Sequence, residues 1–151
     1  NARWCTARKG DTLEAYYSQY KPEMTAHIGF AADEINRLYS KNAQKKHWYH
    51  MRFPLFDFDM TEADCLEYCY SKGFAWGGLY NHFKRVSCWC CPLQPLKELK
   101  QLYLHFPELW ERLKDMDARA WNTFRADGQS VEDLEKRFYF EEVLQGKLEI
   151  I

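Results

Sequence analysis

Several things are missing from this sequence, and each absence narrows what the chain can be. No apolar run approaches the roughly 20 residues that a helix needs to cross a bilayer, so a membrane is not an expected partner. The formal net charge is −1, so no overall basic field draws the chain to nucleic acid or to an acidic membrane surface. The first residues carry no positive flank followed by an apolar core. That predicts a cytoplasmic protein, its 6 cysteines kept as reduced thiols rather than as a disulfide framework. There is no phosphate-cradling G-x-x-x-x-G-K-[ST] loop, no G-x-S-x-G nucleophile turn and no H-E-x-x-H zinc helix. Internal repeats, low-complexity tracts and linkers long enough to divide domains are also lacking. The 151 residues therefore read as a single domain, 1–151, with room for a real core.

What is present concentrates in one place. Half of the 6 cysteines fall within Arg85-Val86-Ser87-Cys88-Trp89-Cys90-Cys91-Pro92. Cys88 and Cys91 form a C-x-x-C pair, a spacing that lets two thiolates reach one metal or cluster from a tight turn. Cys90 adds a third sulfur, and Pro92 stops the turn from running on as regular structure. His82, Lys84 and Arg85 give the turn a basic flank, which favours thiolates. The plainer reading is a buried, reduced thiol turn with no ligand. Aromatic residues make up 17% of the chain, enough to fill a core or to offer flat faces to nucleotide bases.

Along the chain, residues 1–11 read as a loop ending at Gly10-Asp11. Asp11 or Thr12 then caps a short helix through about Tyr20, with Leu13, Tyr16, Tyr17 and Tyr20 on one side. Lys21-Pro22 breaks it. A short strand is expected around His27-Ile28-Gly29-Phe30, and a helical turn from Ala31-Ala32-Asp33-Glu34 through Arg37 and Leu38. Lys41 to Lys46 reads as a solvated loop, and His47 to Phe53, leading into Pro54-Leu55, as a second short strand or extended segment. Thr61 to Asp64 resembles a capping box that opens a helix with Cys65, Leu66, Cys69 and Tyr70 on its apolar face and Gly73 at its end. Cys65 and Cys69, at i and i+4, could chelate, but a core face is the simpler reading. Gly77-Gly78 marks a loop leading to the cysteine turn. Pro95 opens a helix with a stripe of Leu96, Leu99, Leu102, Tyr103 and Phe106, which also carries His105 at its surface. Pro107 starts a longer helix with Leu109, Trp110, Leu113, Met116, Ala120, Trp121 and Phe124 inward, broken at Asp127-Gly128. Ser130 to Asp133 caps a last helix holding Leu134 and Phe138.

Two further polar groupings could carry chemistry. Arg3-Trp4-Cys5-Thr6 with Lys9 places two cations, a thiol and a hydroxyl within seven residues. That combination suits a phosphate or sulfate, with the arginine gripping it through two donors. A frayed terminus with solvated charges is the alternative. Asp33-Glu34 with Arg37 follows a predicted strand, where α/β folds place ligand-binding groups. An ordinary helix start with an i, i+3 ion pair accounts for it equally well.

Taken in order, four stretches resemble the phosphoadenosine phosphosulfate reductase family. They are Arg3-Trp4-Cys5-Thr6-x-x-Lys9, Ile28-Gly29-Phe30-Ala31-Ala32-Asp33-Glu34 with Arg37, Phe53-Pro54-Leu55 before Thr61-Glu62, and Arg85-Val86-Ser87-Cys88-Trp89-Cys90-Cys91-Pro92. The resemblance covers most of residues 1–138. It implies an α/β fold of the adenine nucleotide alpha-hydrolase-like type, with a parallel sheet flanked by helices, here mostly helical with about two short strands. It also implies that the chain is the C-terminal portion of such a domain. Family members carry a Ser-Gly-Gly-x-Asp-Ser type phosphate loop near their N-terminus, and here the chain opens on Asn1 without one, so these residues alone are expected to be inactive.

The resemblance also suggests roles. Arg3, Trp4, Thr6 and Lys9 match the loop that faces the sulfate or phosphate end of a nucleotide, and Arg37, after Asp33 and Glu34, a substrate-facing arginine. Many relatives carry an arginine where this chain has Ala31. Relatives with a 4Fe–4S cluster use four cysteines, which points to Cys5, Cys88, Cys90 and Cys91, with Trp4 standing where one cluster ligand is found in those relatives. Zinc is the alternative occupant. The implied function is reduction or transfer of activated sulfur on an adenine nucleotide or sulfonucleotide, as oxidoreductase or sulfurtransferase, with a thioredoxin-like reductant as partner. The reductases use a nucleophilic cysteine near the C-terminus, and this chain has no cysteine after Cys91. That favours a second reading, a sulfurtransferase of the same superfamily with nucleic acid as partner. A non-enzymatic, metal-stapled interaction module is the third. The catalytic residue is not named by any of these motifs.

Overall fold

The computed structural model describes residues 4–20, 23–40 and 49–148, with the side chains of Trp4, Lys147 and Leu148 left aside. The expected loop 41–46, His47 and the Lys21-Pro22 break lie outside the described residues. The chain folds as two compact units that meet in sequence at Ala75 and Trp76. The described part is mostly helical with a two-stranded parallel sheet, which is α/β at the coarse level. No helix among the described residues is long and apolar enough to cross a membrane.

The first unit opens on α1 (Trp4–Tyr17), continued by a 3-10 turn, Ser18–Tyr20. This corrects the expected loop over the described residues 4–11. Cys5 to Lys9 contain no helix breaker, and Gly10 costs a helix only about 1 kcal/mol relative to alanine. Thr12 donates its hydroxyl to the Arg8 carbonyl at 2.9 Å and so serves the helix from inside rather than capping it. Leu13, Tyr16, Tyr17 and Tyr20 are all exposed.

Strand β1 (Thr25–His27) pairs in parallel with β2 (His50–Arg52), in the register Thr25 to His50, Ala26 to Met51 and His27 to Arg52. The first strand ends earlier than expected because the Phe30 N–H donates to the Ile28 carbonyl at 3.0 Å, closing a three-residue turn. Between the strands, a 3-10 turn (Ala32–Glu34) runs into α2 (Ile35–Leu38), the helical turn expected there. After β2 the Pro54-Leu55 segment is not extended. Pro54 starts a single helical turn, α3 (Pro54–Asp57), where its missing N–H costs nothing.

Helix α4 (Glu62–Ser71) is built as the sequence predicts. Thr61 and Asp64 exchange the bonds of a capping box: the Thr61 N–H donates to the Asp64 carboxylate at 2.9 Å, and the Asp64 N–H to the Thr61 hydroxyl at 3.2 Å. At the other end Gly73 takes φ of +82°. Its N–H reaches the Tyr70 carbonyl at 2.9 Å, and the Phe74 N–H the Cys69 carbonyl at 3.1 Å. These are the two bonds of a Schellman motif, which needs the left-handed residue that glycine supplies. Cys65, Leu66 and Cys69 are half-buried, but Tyr70, expected beside them, is exposed.

The second unit holds the larger core. A 3-10 segment, Trp76–Asn81, passes through Gly77 and Gly78 at φ of +59° and +77°. Helices α5 (Leu96–His105), α6 (Pro107–Ala118) and α7 (Val131–Leu148) then bury Leu99, Leu102, Trp110, Leu113, Val131, Leu134 and Phe138 against one another. The Trp110 ring lies 5.4 Å from that of Tyr103 and 5.9 Å from that of Phe138. Lys114 bridges Glu111 and Glu135, and Lys100 bridges Glu141 and Glu142, tying α6 and α5 to α7. The stripes expected for α5 and α7 are inward. That of α6 stops early: Met116, Ala120 and Trp121 are exposed, and Trp121 is 94% accessible. The helix ends at Ala118, and the Asp117 carboxylate near that end accepts the Val131 N–H at 2.7 Å, at the start of α7. Ser130 and Asp133 form the second capping box, with the Ser130 N–H on the Asp133 carboxylate at 3.0 Å and the Asp133 N–H on the Ser130 hydroxyl at 3.1 Å.

Candidate functional site

The residues singled out from sequence fall into three groups. Arg3 lies outside the described residues, as does the side chain of Trp4. Cys5, Thr6 and Lys9 lie on α1 and are exposed. Thr6 and Lys9, three apart, share one face, and so do Cys5 and Lys9, four apart. The anion-facing loop expected over 3–9 is therefore a helix from Trp4 on, and it offers two cations (Arg8 and Lys9), a hydroxyl and a thiol to solvent.

The second group follows β1. Asp33 is exposed, and its carboxylate accepts the Glu62 N–H at 3.0 Å, satisfying one of the unpaired donors at the start of α4. The Ala32 N–H donates to the Met60 carbonyl at 2.8 Å, so the segment is stitched to the entrance of α4 at two points. Ala31, 4% exposed, sits under that seam. Glu34 forms an ion pair with Arg37 on its own helical turn, Glu34 being 15% and Arg37 46% exposed at the side chain. The Arg37 guanidinium stands 4.4 Å from the centre of the Phe30 ring, which stacks on Phe53 at 5.6 Å. The ion pair named as the ordinary alternative is thus present. Arg37 still turns part of its five-donor fork to solvent beside an aromatic surface.

The third group is the cysteine turn. The Cys91 N–H donates to the Cys88 carbonyl at 3.1 Å, and the Gln94 N–H to the Cys91 carbonyl at 3.1 Å, so two reverse turns follow one another. Cys88 is exposed, while Cys90 and Cys91 are half-buried. Trp89 and Cys90 pack against the core, and the Arg112 guanidinium lies 5.5 Å from the Trp89 ring. Two residues that no motif flagged hold the turn. The Gln94 side-chain amide donates to the Ser87 hydroxyl and to the Cys88 carbonyl, both at 3.0 Å. Arg125 donates to the Pro92 carbonyl at 3.1 Å and to the Gln94 carbonyl at 2.7 Å. The flanking Pro92 and Pro95 hint that Gln94 is fixed. Nothing local in the sequence points to Arg125. Beside the turn lies a cavity of 180 Å³ whose walls include Phe83, Arg85, Ser87, Trp89, Gln94 and Phe106.

Among the described residues, no three His, Cys, Asp or Glu side chains gather as a metal ion would require. Cys5 belongs to the first unit and Cys88, Cys90 and Cys91 to the second. Cys90, lying against the core, does not join Cys88 and Cys91 in a ligand set as it is placed. The Cys65 thiol, which shares a helix face with Cys69, is pushed up by burial first, then by Cys69 and by the carboxylates of Asp64, Asp33 and Glu62. It stays protonated at neutral pH and acts as a small apolar side chain. His82 and His105, kept apart in the sequence reading, lie together with ring centres 4.1 Å from each other.

Comparison with known proteins returned nothing: no family model matches the chain, and neither a curated protein nor a solved structure matches it significantly.

Proposed function

We propose that the chain belongs to a phosphoadenosine phosphosulfate reductase-like protein that acts on an adenine nucleotide or sulfonucleotide and reduces or transfers its activated sulfur. One observation carries the reading: the four motif stretches stand in family order, and the second of them follows a strand in parallel pairing. Parallel pairing with a helical crossover is the local architecture in which α/β enzymes set ligand groups just beyond a strand's C-terminal end. Arg37 stands there beside the Phe30 and Phe53 rings, a combination suited to an anionic group next to a flat base. Lys9 and Thr6 on α1 supply a second cation and a hydroxyl donor. Arg3 and Trp4 keep the role that the resemblance gives them.

The chemistry assigned to this chain's own residues is binding and orientation. Arg37 grips the anion, and Glu34 sets the direction of the guanidinium. Asp33 fixes the segment to α4 rather than touching substrate. An iron–sulfur cluster or a zinc ion on Cys5, Cys88, Cys90 and Cys91 rests on the resemblance alone, and no step is routed through it. The test is anaerobic purification of the full-length protein, followed by iron and sulfide analysis and by calorimetric titration with adenylyl sulfate and AMP. Binding of either nucleotide supports the reading. Absence of nucleotide binding together with absence of iron and sulfide refutes it.

A further inference from the structure

We infer that Cys88 and Cys91 form a reversible dithiol–disulfide pair, with the exposed Cys88 meeting an incoming disulfide and the half-buried Cys91 resolving it. The inference does not depend on the nucleotide reading. It starts from the disagreement between four cysteines and a metal: the described thiols do not gather in threes, but two of them are brought together.

The geometry of the turn selects this pair. A reverse turn closed between residues i and i+3 holds their Cα atoms within about 7 Å. A disulfide spans Cα separations of roughly 4.4 to 6.8 Å, so Cys88 and Cys91 need little backbone movement to join. Cys90 occupies an inner position of the same turn and packs against the core. Bridging Cys90 to its neighbour Cys91 would demand a strained ring. The turn is also held from both sides, by the Gln94 amide on the Cys88 carbonyl at 3.0 Å and by Arg125 on the Pro92 and Gln94 carbonyls at 3.1 and 2.7 Å. A turn fixed in this way keeps the second thiol at high effective concentration beside the first, so closure outruns capture of a second outside molecule.

The exchange balances without any other reagent. The Cys88 thiolate attacks one sulfur of a disulfide R–S–S–R, forming a mixed disulfide and releasing R–S⁻. The Cys91 thiolate then attacks the Cys88 sulfur, forming the internal bridge and releasing the second R–S⁻. Two thiols of the protein are oxidised by two electrons and one disulfide is reduced to two thiols. The two protons given up by Cys88 and Cys91 end on the released thiolates. Which thiol attacks first follows from access, since Cys88 is exposed and Cys91 is half-buried.

The probe is glutathione disulfide added to the full chain, reduced and shown by elemental analysis to be free of iron and zinc. Trypsin cutting after Arg85 and Lys97 releases residues 86–97 as one peptide that holds all three thiols of the turn. The expected product is a bridge between Cys88 and Cys91, with Cys90 still open to alkylation, and dithiothreitol reverses it. Cys91→Ser accumulates glutathione on Cys88. Cys88→Ser, at an exposed site that leaves the core untouched, leaves only the half-buried Cys91 of the pair to attack glutathione disulfide and slows glutathionylation of the turn by about tenfold or more. Cys90→Ser closes the bridge at the unaltered rate. The inference is overturned if glutathione persists on Cys88 in the unaltered chain, if Cys90 takes part in the bridge, if Cys90→Ser slows closure by about tenfold, or if all three thiols stay reduced.

Discussion

Arg125 shows whether the cysteine turn is held from outside itself. Its guanidinium reaches two carbonyls, Pro92 at 3.1 Å and Gln94 at 2.7 Å, and its side chain is 20% exposed. A hydrogen bond from a charged group nets about 1.5–3 kcal/mol, and the loss is greatest where the orphaned partner cannot take water. Pro92 is exposed, so its carbonyl rehydrates and contributes little to the loss, whereas Gln94 is buried. Arg125→Met keeps the aliphatic stem and removes both donors, at an expected local loss of about 2–3 kcal/mol. The readout is amide exchange by NMR at Cys91 and Gln94, whose N–H groups close the two turns. At about 1.4 kcal/mol per factor of ten, exchange there should speed up roughly 30- to 150-fold. Amides within α5 to α7 that exchange only by complete unfolding should change by no more than the loss of overall stability. Arg125→Lys, which offers a point charge to one carbonyl at a time, falls between the two. Unchanged exchange at both amides would refute the clamp. An equal acceleration everywhere in the unit would show that Arg125 supports the core and not the turn.

The remaining expectations concern the core and the caps. Trp110→Ala should cost about 3–5 kcal/mol in urea unfolding, as large-to-small changes in a packed core do, while Trp121→Ala should stay within about 0.5 kcal/mol because its ring touches almost nothing. Equal effects would contradict the placement of the end of α6 at Ala118. The Asp133 carboxyl is held below its ordinary value near 3.8 by the Ser130 hydroxyl and N–H, and the Asp64 carboxyl likewise by those of Thr61. A depressed folded value means that the unfolded chain takes up protons first on acidification. The stabilisation is complete above the ordinary value and is lost as pH falls from 3.8 through the lower folded one. Urea midpoints measured across that window should fall less steeply for Asp133→Asn than for the unaltered chain, and parallel curves would remove the cap from the account.

What could be read from sequence was local. Both capping boxes, the Gly73 stop, and the stripes of α5 and α7 follow from residues within a turn or two of each other, and periodicity is enough to find them. The sequence reads as a loop over residues 4–11 because Gly10-Asp11 looks like a break. In the structure both residues sit inside a helix that buries none of its described side chains, so no packing pattern marks its extent. Trp121 reads as inward from sequence because its spacing continues the α6 stripe. The helix stops at Ala118, before that spacing can place the ring, and no proline or glycine in the sequence marks the stop. The same holds for the supports of the candidate site: Arg125 is 33 residues from Pro92, and Asp33 is 29 from the Glu62 N–H it accepts.

Those long contacts change what the acidic segment can do. A carboxylate that accepts the first free N–H of α4 meets a positive helix end, which favours its staying there, although the bond is exposed and water can replace it. Asp33 is thus engaged at α4, and under the proposed function Arg37 is the cation that would meet an anion beyond β1. Arg37 is in turn shared with Glu34, which removes most of its net charge at long range but leaves donors of its fork unused. An anion arriving there gains hydrogen bonds more than it gains field. Under the proposed function such a site would discriminate by the geometry of the anion and by the flat group beside it, because the Phe30 ring lies 4.4 Å from the guanidinium. A planar base joined to a tetrahedral anion fits those constraints better than a free phosphate does, since the free ion would use the donors and leave the Phe30 and Phe53 surface uncovered.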